Sequence, residues 1–276
     1  MDSLILLQDS CYQSDPNFSI KYSGERNNCA AIYFTSNNLF FPHTESMFRY
    51  SVIEKNRYEW TNLTIKRAYK HIFIRDIYKQ WYASGINAEI NTLDKMIEWL
   101  RNETQNYNEI ILVGSSGGGY AATIAGVKLK ASLILNFNGQ WNLYDNIERN
   151  GEIISPILKR MIDNNDPGTQ YFDIANTEYD YNKVFYFVSK FSPWDKKQYS
   201  LLKDFRNINI ISFYNSHHGI PFFKSTLPAI LAMNQADLKK LSTHQHIPFL
   251  FDCKIAGIKN TVSFVLKNII KKFFQK

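Results

Sequence analysis

A serine surrounded by glycines is the residue of this sequence best suited to chemistry. The stretch EIILVGSSGGGYAATIAG, residues 109–126, holds four of the chain's 12 glycines between positions 114 and 119. Ser116 is the central residue of a G-x-S-x-G motif that runs from Gly114 to Gly118. A serine at the tip of so tight a turn takes strained backbone angles that present its Oγ, and bulkier residues two positions away would clash. The motif therefore predicts a nucleophilic serine at 116.

Other uses of a glycine-rich stretch fit less well. A flexible linker would be flanked by polar sequence, whereas this stretch follows an apolar strand pattern and leads into a helix pattern. A Walker-type phosphate loop ends in Gly-Lys-Ser/Thr, and the stretch contains no lysine. A G-x-G-x-x-A match begins at Gly117, but the next predicted strand ends in asparagine where a dinucleotide site needs an acid. These mismatches favour the nucleophile.

The carboxylate partner of such a serine follows it in the chain, and the histidine follows the carboxylate. Asp195 lies in KFSPWDKKQ, directly after the predicted strand VFYFVS, and is the acid we predict. Asp180 precedes that strand, and Asp204 falls in a predicted helix. Asp195 could instead cap the helix that begins beside it.

The histidine comes from YNSHHGIPFF, after the predicted strand INIISF. We prefer His218 because Gly219 beside it lets the loop turn back over the serine, and His217 remains an alternative. In these roles His218 would take the proton from Ser116, and Asp195 would hold the imidazole tautomer.

The rest of the predicted site stabilises charge and binds substrate. The backbone N–H groups of Gly117 and of Ser36, in the loop after strand 30–35, are the predicted oxyanion donors. Four aromatic residues at predicted strand ends could stack on sugar rings: Trp81, Tyr82, Trp141 and Trp194. We predict no metal, since His244 and His246 lack an evident third ligand.

The elements that must position these residues alternate between strands and helices. Apolar runs predict strands at 30–35, 71–75, 109–113, 132–136, 184–189 and 208–213. Helical patterns cover 90–100, 120–127, 197–205 and 222–241, the last interrupted near Pro228. The alternation predicts an α/β fold in three layers, with a mostly parallel central sheet between helices. We predict one catalytic domain over 1–252, with a short lid insertion at about 139–182.

The charge of the chain is concentrated at its C-terminus. The net charge is +7, and the segment 253–276 carries six lysines and no acidic residue, which leaves +1 for the other 252 residues. The nearly neutral body argues against a nucleic-acid partner. The tail predicts a basic amphipathic helix that contacts a membrane or an assembly partner, or else packs on the sheet.

Cysteine usage and the N-terminus bear on the compartment. Three cysteines without paired spacing indicate a reducing environment, and the first residues show no basic leader or long apolar run. We therefore expect a cytoplasmic protein, either free or peripheral to the inner face of a membrane.

With the serine motif, Asp195 and His218 identified, the chain resembles the α/β-hydrolase superfamily from about residue 29 to residue 241. FIRDIYKQWYASG, GSSGGGYAA and HHGIP are similar to segments of small bacterial hydrolase-like proteins found with surface-polysaccharide genes. Some of these resemble capsule O-acetyltransferases. That resemblance implies acetyl-CoA as a possible acyl donor, with no resident cofactor, and a polysaccharide hydroxyl as acceptor.

Three functions follow as hypotheses. The first is O-acetylation of a capsular or surface polysaccharide through an acyl-serine. The second is an esterase or deacetylase that acts on carbohydrate or small esters. The third is a non-catalytic accessory protein of a glycan-assembly or secretion complex.

Overall fold

Seven strands form one sheet in the computed structural model, which describes residues 3–149, 152–202, 205 and 207–274. The strands are β1 (Phe18–Tyr22), β2 (Cys29–Phe34), β3 (Lys70–Ile74), β4 (Glu109–Ser115), β5 (Leu133–Phe137), β8 (Val184–Ser189) and β9 (Asn209–Phe213). Strands β6 (Glu148–Arg149) and β7 (Glu152–Ile153) form a separate hairpin. The sheet order is β1-β3-β2-β4-β5-β8-β9, and all neighbours are parallel except β1 and β3.

The six predicted strands are confirmed, and three strands were not predicted: β1 of this sheet and the two-residue strands β6 and β7. The sequence of β1, FSIKY, is only partly buried, since it forms an antiparallel edge of the sheet. The central strands are buried on both faces, which explains their continuous apolar runs.

Helices lie on both sides of this sheet. They are α1 (Ser3–Ser14), α2 (Glu45–Phe48), α3 (Leu93–Thr104), α4 (Gly117–Lys128), α5 (Pro156–Asp163), α6 (Asp195–Leu201), α7 (Leu227–Ala232), α8 (Gln235–Leu241), α9 (Pro248–Ala256) and α10 (Ile258–Phe274). A π-helix spans Arg49–Glu54, and single 3-10 turns span Tyr144–Asn146, Pro167–Tyr171, Ile174–Asn176 and Lys224–Thr226. This is the three-layer α/β architecture, with a mostly parallel central sheet between helices, that the sequence predicts.

Alternate residues of each strand enter different cores. Ile32 and Phe34 of β2 pack with α3 and α4 on one face of the sheet. Ala31 and Tyr33 pack with α7 and α8 on the other face. The period of two in a strand divides its side chains between the two layers.

The insertion at 139–182 contributes to the first of these cores. Trp141, Leu143, Leu158 and Tyr181 are buried in the cluster that contains α3 and α4. The Tyr120 hydroxyl of α4 donates a 2.8 Å hydrogen bond to the carbonyl of Tyr171. The insertion is therefore packed into the helical layer.

All five predicted helices have different boundaries in the structure, and those of α3 and α4 differ from the predicted 90–100 and 120–127 by one to four residues at each end. The expected helix at 222–241 breaks after Ala232, whereas Pro228 lies in the first turn of α7, where proline is tolerated. The expected single helix at 253–276 is wrong, because Gly257 has a φ of 87° and separates α9 from α10. Helix α6 begins at Asp195 rather than Lys197; Asp204 lies outside the described residues.

The order of the strands predicts where a site can form. The chain runs from β2 outward to β3 and then returns to β4 on the other side of β2. Such a switch point leaves a crevice at the carboxyl ends of the two neighbouring strands. Ser116 follows β4, and the 35–38 loop follows β2, so both lie at this crevice.

Candidate active site

The turn between β4 and α4 holds Ser116 in a strained conformation. Its φ is 53° and its ψ is −125°, a combination that side chains rarely adopt. A Cβ at Gly114 would lie 2.0 Å from the Gly118 carbonyl oxygen, and one at Gly118 would lie 2.5 Å from the Phe34 carbonyl oxygen. These contacts explain why the motif needs glycine at both positions.

The structure brings the three predicted triad residues together. The Ser116 Oγ lies 2.9 Å from His218 Nε2, and His218 Nδ1 lies 2.8 Å from Asp195 Oδ1. With a proton on Nδ1, His218 donates to the carboxylate and accepts from the serine hydroxyl, which is the state that a general base requires. Ser116 is half-buried and the imidazole is partly exposed, so a substrate can reach both.

Asp195 holds the imidazole from a buried position. It is the first residue of α6, and its side chain is 1% exposed. Within the described part of the chain its Oδ2 has no hydrogen-bond partner. Nearby, burial raises the pKa of the Tyr186 hydroxyl well above its usual value, and the Asp195 charge raises it further. The side chain is thus directed at His218 rather than at the start of the helix.

His217 is placed differently from its neighbour. Its side chain is exposed, and its backbone N–H donates to Asn215 Oδ1 at 2.9 Å. Gly219 has a φ of 101°, which permits the turn that brings His218 over the serine. Of the two histidines, the structure places His218 beside Ser116.

Asn138 and Ser189 clamp the histidine loop to the sheet. The Asn138 amide nitrogen donates to the Gly219 carbonyl at 2.6 Å and to Ser189 Oγ at 3.0 Å, and its Oδ1 accepts from Ser189 N–H at 2.8 Å. Ser189 Oγ donates in turn to the His217 carbonyl at 2.6 Å. Asn138 is fully buried with a φ of 51°. This role of Asn138 was not predicted, and the only feature of the sequence that points to it is the position of Asn138 directly after β5.

The prediction that Ser36 is an oxyanion donor is wrong in this structure. Its backbone N–H donates to Glu59 Oε2 at 2.9 Å, and its hydroxyl donates to Glu59 Oε1 at 2.8 Å. The next residue, Asn37, faces Gly117 instead: a Cβ on Gly117 would lie 2.7 Å from Asn37 Oδ1. Asn37 Oδ1 is buried and has no partner among the described residues. Gly117 begins α4, where a helix leaves its first N–H groups unpaired.

Three of the four aromatic residues predicted to bind sugar are buried instead. Tyr82 and Trp141 have no exposed surface, and Trp81 is 9% exposed. Trp81 Nε1 donates to Gln140 Oε1, and the Tyr82 hydroxyl donates to the Thr35 carbonyl. Their rings pack in the core, so they present no face to a sugar. Trp194 is 48% exposed, and its ring centroid lies 6.3 Å from that of His218.

The loop after β3 supports this side of the site, and it is strained, because Lys79, Trp81 and Tyr82 have φ values of 57°, 54° and 60°. Asp76 accepts hydrogen bonds from the backbone N–H groups of Tyr78, Lys79, Gln80 and Tyr82. Burial raises the pKa of Asp76, and these four bonds oppose the shift. The carbonyl of Lys79 accepts from the Asn37 amide at 3.3 Å, and burial lowers the pKa of the Lys79 amine to about 7.

The described residues contain no group of three His, Cys, Asp or Glu side chains that could hold a metal ion. His246 instead pairs with the Leu241 carbonyl at 2.8 Å, and His244 contacts the hydroxyl of Thr243.

No family model matches the chain, and no curated protein matches it by sequence. Among solved structures, it is similar to the capsule O-acetyltransferase of Neisseria meningitidis serogroup A, at 17% identity and a TM-score of 0.47. The match covers 74% of this chain and 89% of that chain. A variant of that enzyme in complex with CoA gives a TM-score of 0.48. A Pyrobaculum calidifontis esterase matches at 12% identity and a TM-score of 0.44, over 88% of this chain and 91% of that one.

Proposed function

We propose that this protein is a serine-dependent acyltransferase that moves an acetyl group from a thioester donor, acetyl-CoA, to a hydroxyl of a surface or capsular polysaccharide. The observation that supports it best is the continuous hydrogen-bonded chain from Ser116 through His218 to Asp195, built on a strained turn. Strain of this kind persists where the surrounding structure holds it, and such positions cluster at active sites.

The proposed first step acylates the serine. Ser116 Oγ attacks the carbonyl carbon of the thioester while its proton passes to His218 Nε2. Asp195 stabilises the imidazolium through Nδ1–H, and the backbone N–H groups of Gly117 and Asn37 are the proposed donors to the oxyanion. Collapse of the tetrahedral intermediate breaks the C–S bond, and His218 returns its proton to the departing thiolate.

The second step passes the acyl group to an acceptor. A sugar hydroxyl gives up its proton to His218 and attacks the acyl-serine carbonyl. As the bond from the carbonyl carbon to Ser116 Oγ breaks, His218 returns the proton to Oγ, which regenerates the serine and leaves the new ester. Trp194 presents an exposed aromatic surface beside His218, where a sugar ring could pack. If water takes the place of the hydroxyl, the same residues perform ester hydrolysis, which is the second candidate.

Fluorophosphonate labelling tests the nucleophile, and acyl transfer tests the function. Ser116 of the wild type should be labelled with loss of fluoride, while Ser116→Ala and His218→Ala should remain unlabelled or label slowly. Thiol release from acetyl-CoA should then rise on addition of an acceptor polysaccharide. Labelling without transfer favours the esterase. A folded protein that does not label favours the accessory role.

We also propose that α9 and α10 contact an anionic membrane surface. Large apolar side chains are exposed along both helices and at Ile247, which directly precedes α9: Phe249, Leu250, Ile258, Val262, Leu266, Ile269 and Ile270. The five on α10 recur at helical spacing on one face, whereas Phe264 packs against Phe223 on another. The lysines of this region would repel a second copy and attract acidic lipid headgroups. No helix in the described residues is both long and apolar enough to cross a bilayer.

Vesicle sedimentation tests this contact. Wild-type protein should bind vesicles that contain phosphatidylglycerol and should bind neutral phosphatidylcholine vesicles more weakly. Leu266→Glu should reduce binding, while Ile53→Glu, a change at an exposed residue of the π-helix, should leave it unchanged. Equal vesicle binding by Leu266→Glu and Ile53→Glu, or no binding by the wild type, would exclude the proposed membrane contact.

A further inference from the structure

A cavity of about 610 Å³ lies between segment 55–63 and the edge strand β1. Its lining consists of that segment together with Ser19 and Lys21 of β1. The volume is in the range of small-molecule sites. The acyl-transfer steps above use none of these side chains.

The lining of this cavity is rich in positive charge. Lys21, Lys55 and Arg57 are among its lining residues, and Glu59 is its single acidic residue. The Lys55 amine lies 5.7 Å from the Tyr50 ring centroid, and Arg57 Nη1 donates to Ser51 Oγ at 3.5 Å. In the ranges that the structure describes, none of the three cations lies within ion-pair distance of a carboxylate. The cavity therefore concentrates two net positive charges in a body whose net charge is close to neutral.

Glu59 is hydrogen-bonded by Ser36 through both carboxylate oxygens and forms no ion pair with these cations within the described residues, although its charge offsets one of theirs. The Ser36 N–H and hydroxyl donate to the carboxylate at 2.9 and 2.8 Å. Ser36 precedes Asn37, which faces the first turn of α4. The cavity wall is thus joined directly to the loop beside the nucleophile.

Buried contacts hold the cationic segment in place from behind. Arg75 is fully buried, and its guanidinium donates to Asn56 Oδ1 at 2.8 Å and to the Arg57 carbonyl at 3.3 Å. It also lies 4.6 Å from the ring centroid of Tyr58 and pairs with Asp15 at 2.9 Å. The segment is therefore preorganised, although its like charges repel one another.

We propose that this cavity binds the phosphate or pyrophosphate group of a small-molecule ligand. Ammonium and guanidinium groups are the side chains that recognise phosphate oxygens, and a bound phosphate would supply the negative charge that these three lining cations do not receive from an ion pair in the described residues. Through Glu59 and Ser36, the bound phosphate would steady the loop that carries Asn37. If the phosphates belong to the acyl donor, an extension that rests on the proposed function, the cavity holds the nucleotide end of that donor.

Calorimetric titration with CoA, inorganic pyrophosphate and pantetheine tests the proposal. CoA and pyrophosphate should bind the wild type and Ser116→Ala alike, more weakly as salt is added, and pantetheine should not bind. Lys55→Gln combined with Arg57→Gln should weaken both anions at least tenfold. The matched control is Lys239→Gln, at an exposed position on α8, which should bind as the wild type does.

The outcomes separate the possible ligands and the two proposals. If pyrophosphate binds and CoA does not, the phosphate site is supported, and its ligand is a compound other than the acyl donor. Equal binding by the double variant and the control, or no anion binding, would overturn the proposal. If the double variant is unstable, Lys55→Gln alone replaces it. Acylation of Ser116 by p-nitrophenyl acetate, which has no phosphate, tests the proposed function separately.

Discussion

Removing the Asn138 side chain should slow acylation of Ser116, although Asn138 touches neither the nucleophile nor the base. The side chain makes three hydrogen bonds that join β5, β8 and the histidine loop. Asn138→Gly deletes these bonds and tolerates the φ of 51°, so the side-chain loss is separated from backbone strain.

The expected loss of stability follows from the number of hydrogen bonds that the substitution removes. Each contributes about 1 kcal/mol net, so the free energy of unfolding should fall by about 3 kcal/mol. Without the bond to its carbonyl at 2.6 Å, Gly219 and the adjoining His218 can shift. A displacement of about 1 Å at a catalytic group costs on the order of 100-fold in rate.

Burst kinetics with p-nitrophenyl acetate would measure the acylation rate, and thermal unfolding would measure stability on the same samples. Asn209→Ala serves as the matched control, because it removes two hydrogen bonds, to the Asn182 and Val184 carbonyls, at the start of β9. It should lower stability and leave the rate unchanged. A wild-type acylation rate in folded Asn138→Gly would refute the positioning role.

Three other changes have defined expectations. Gly117→Ala should lower the acylation rate about 100-fold in a folded protein, because the new Cβ would lie 2.7 Å from Asn37 Oδ1 and displace that residue. An unchanged burst rate would rule out the backbone N–H groups of Gly117 and Asn37 as the oxyanion donors. Asp195→Asn should slow acylation by a factor on the order of 10³–10⁴ at neutral pH and preserve the fold by circular dichroism; a loss under tenfold would contradict its role. Lys79 has a folded-state pKa of about 7, below its usual 10.5, so the unfolded state binds more protons between these pH values. Wild-type stability, relative to Lys79→Met, should therefore rise with pH in that window by up to about 1.4 kcal/mol per unit in denaturant titrations, and a flat difference would contradict a buried amine.

The parts of the site that depend on local sequence could be predicted. The turn around Ser116 needs small residues at fixed positions, so its glycines reveal it directly. Asp195 and His218 follow their strands closely in the chain, and parallel strands bring such ends to one edge of the sheet.

The parts of the site that depend on tertiary packing could not be predicted from the sequence. Ser36 and Asn37 are neighbours in one loop, and only the position of Glu59, 23 residues from Ser36, decides which N–H is already used. Tyr82 and Trp141 follow strands as Trp194 does, yet their rings turn into the core. Sequence position alone carries no information about that direction.

The proposed function depends above all on Ser116 accepting an acyl group from a thioester. Intact-mass measurement of the wild type and of Ser116→Ala after incubation with acetyl-CoA tests it most directly. We expect one added acetyl group on the wild type and none on the variant, with loss of the adduct when an acceptor polysaccharide is supplied. An adduct of equal yield on Ser116→Ala, or no adduct and no thiol release from a wild type that fluorophosphonate labels, would contradict it.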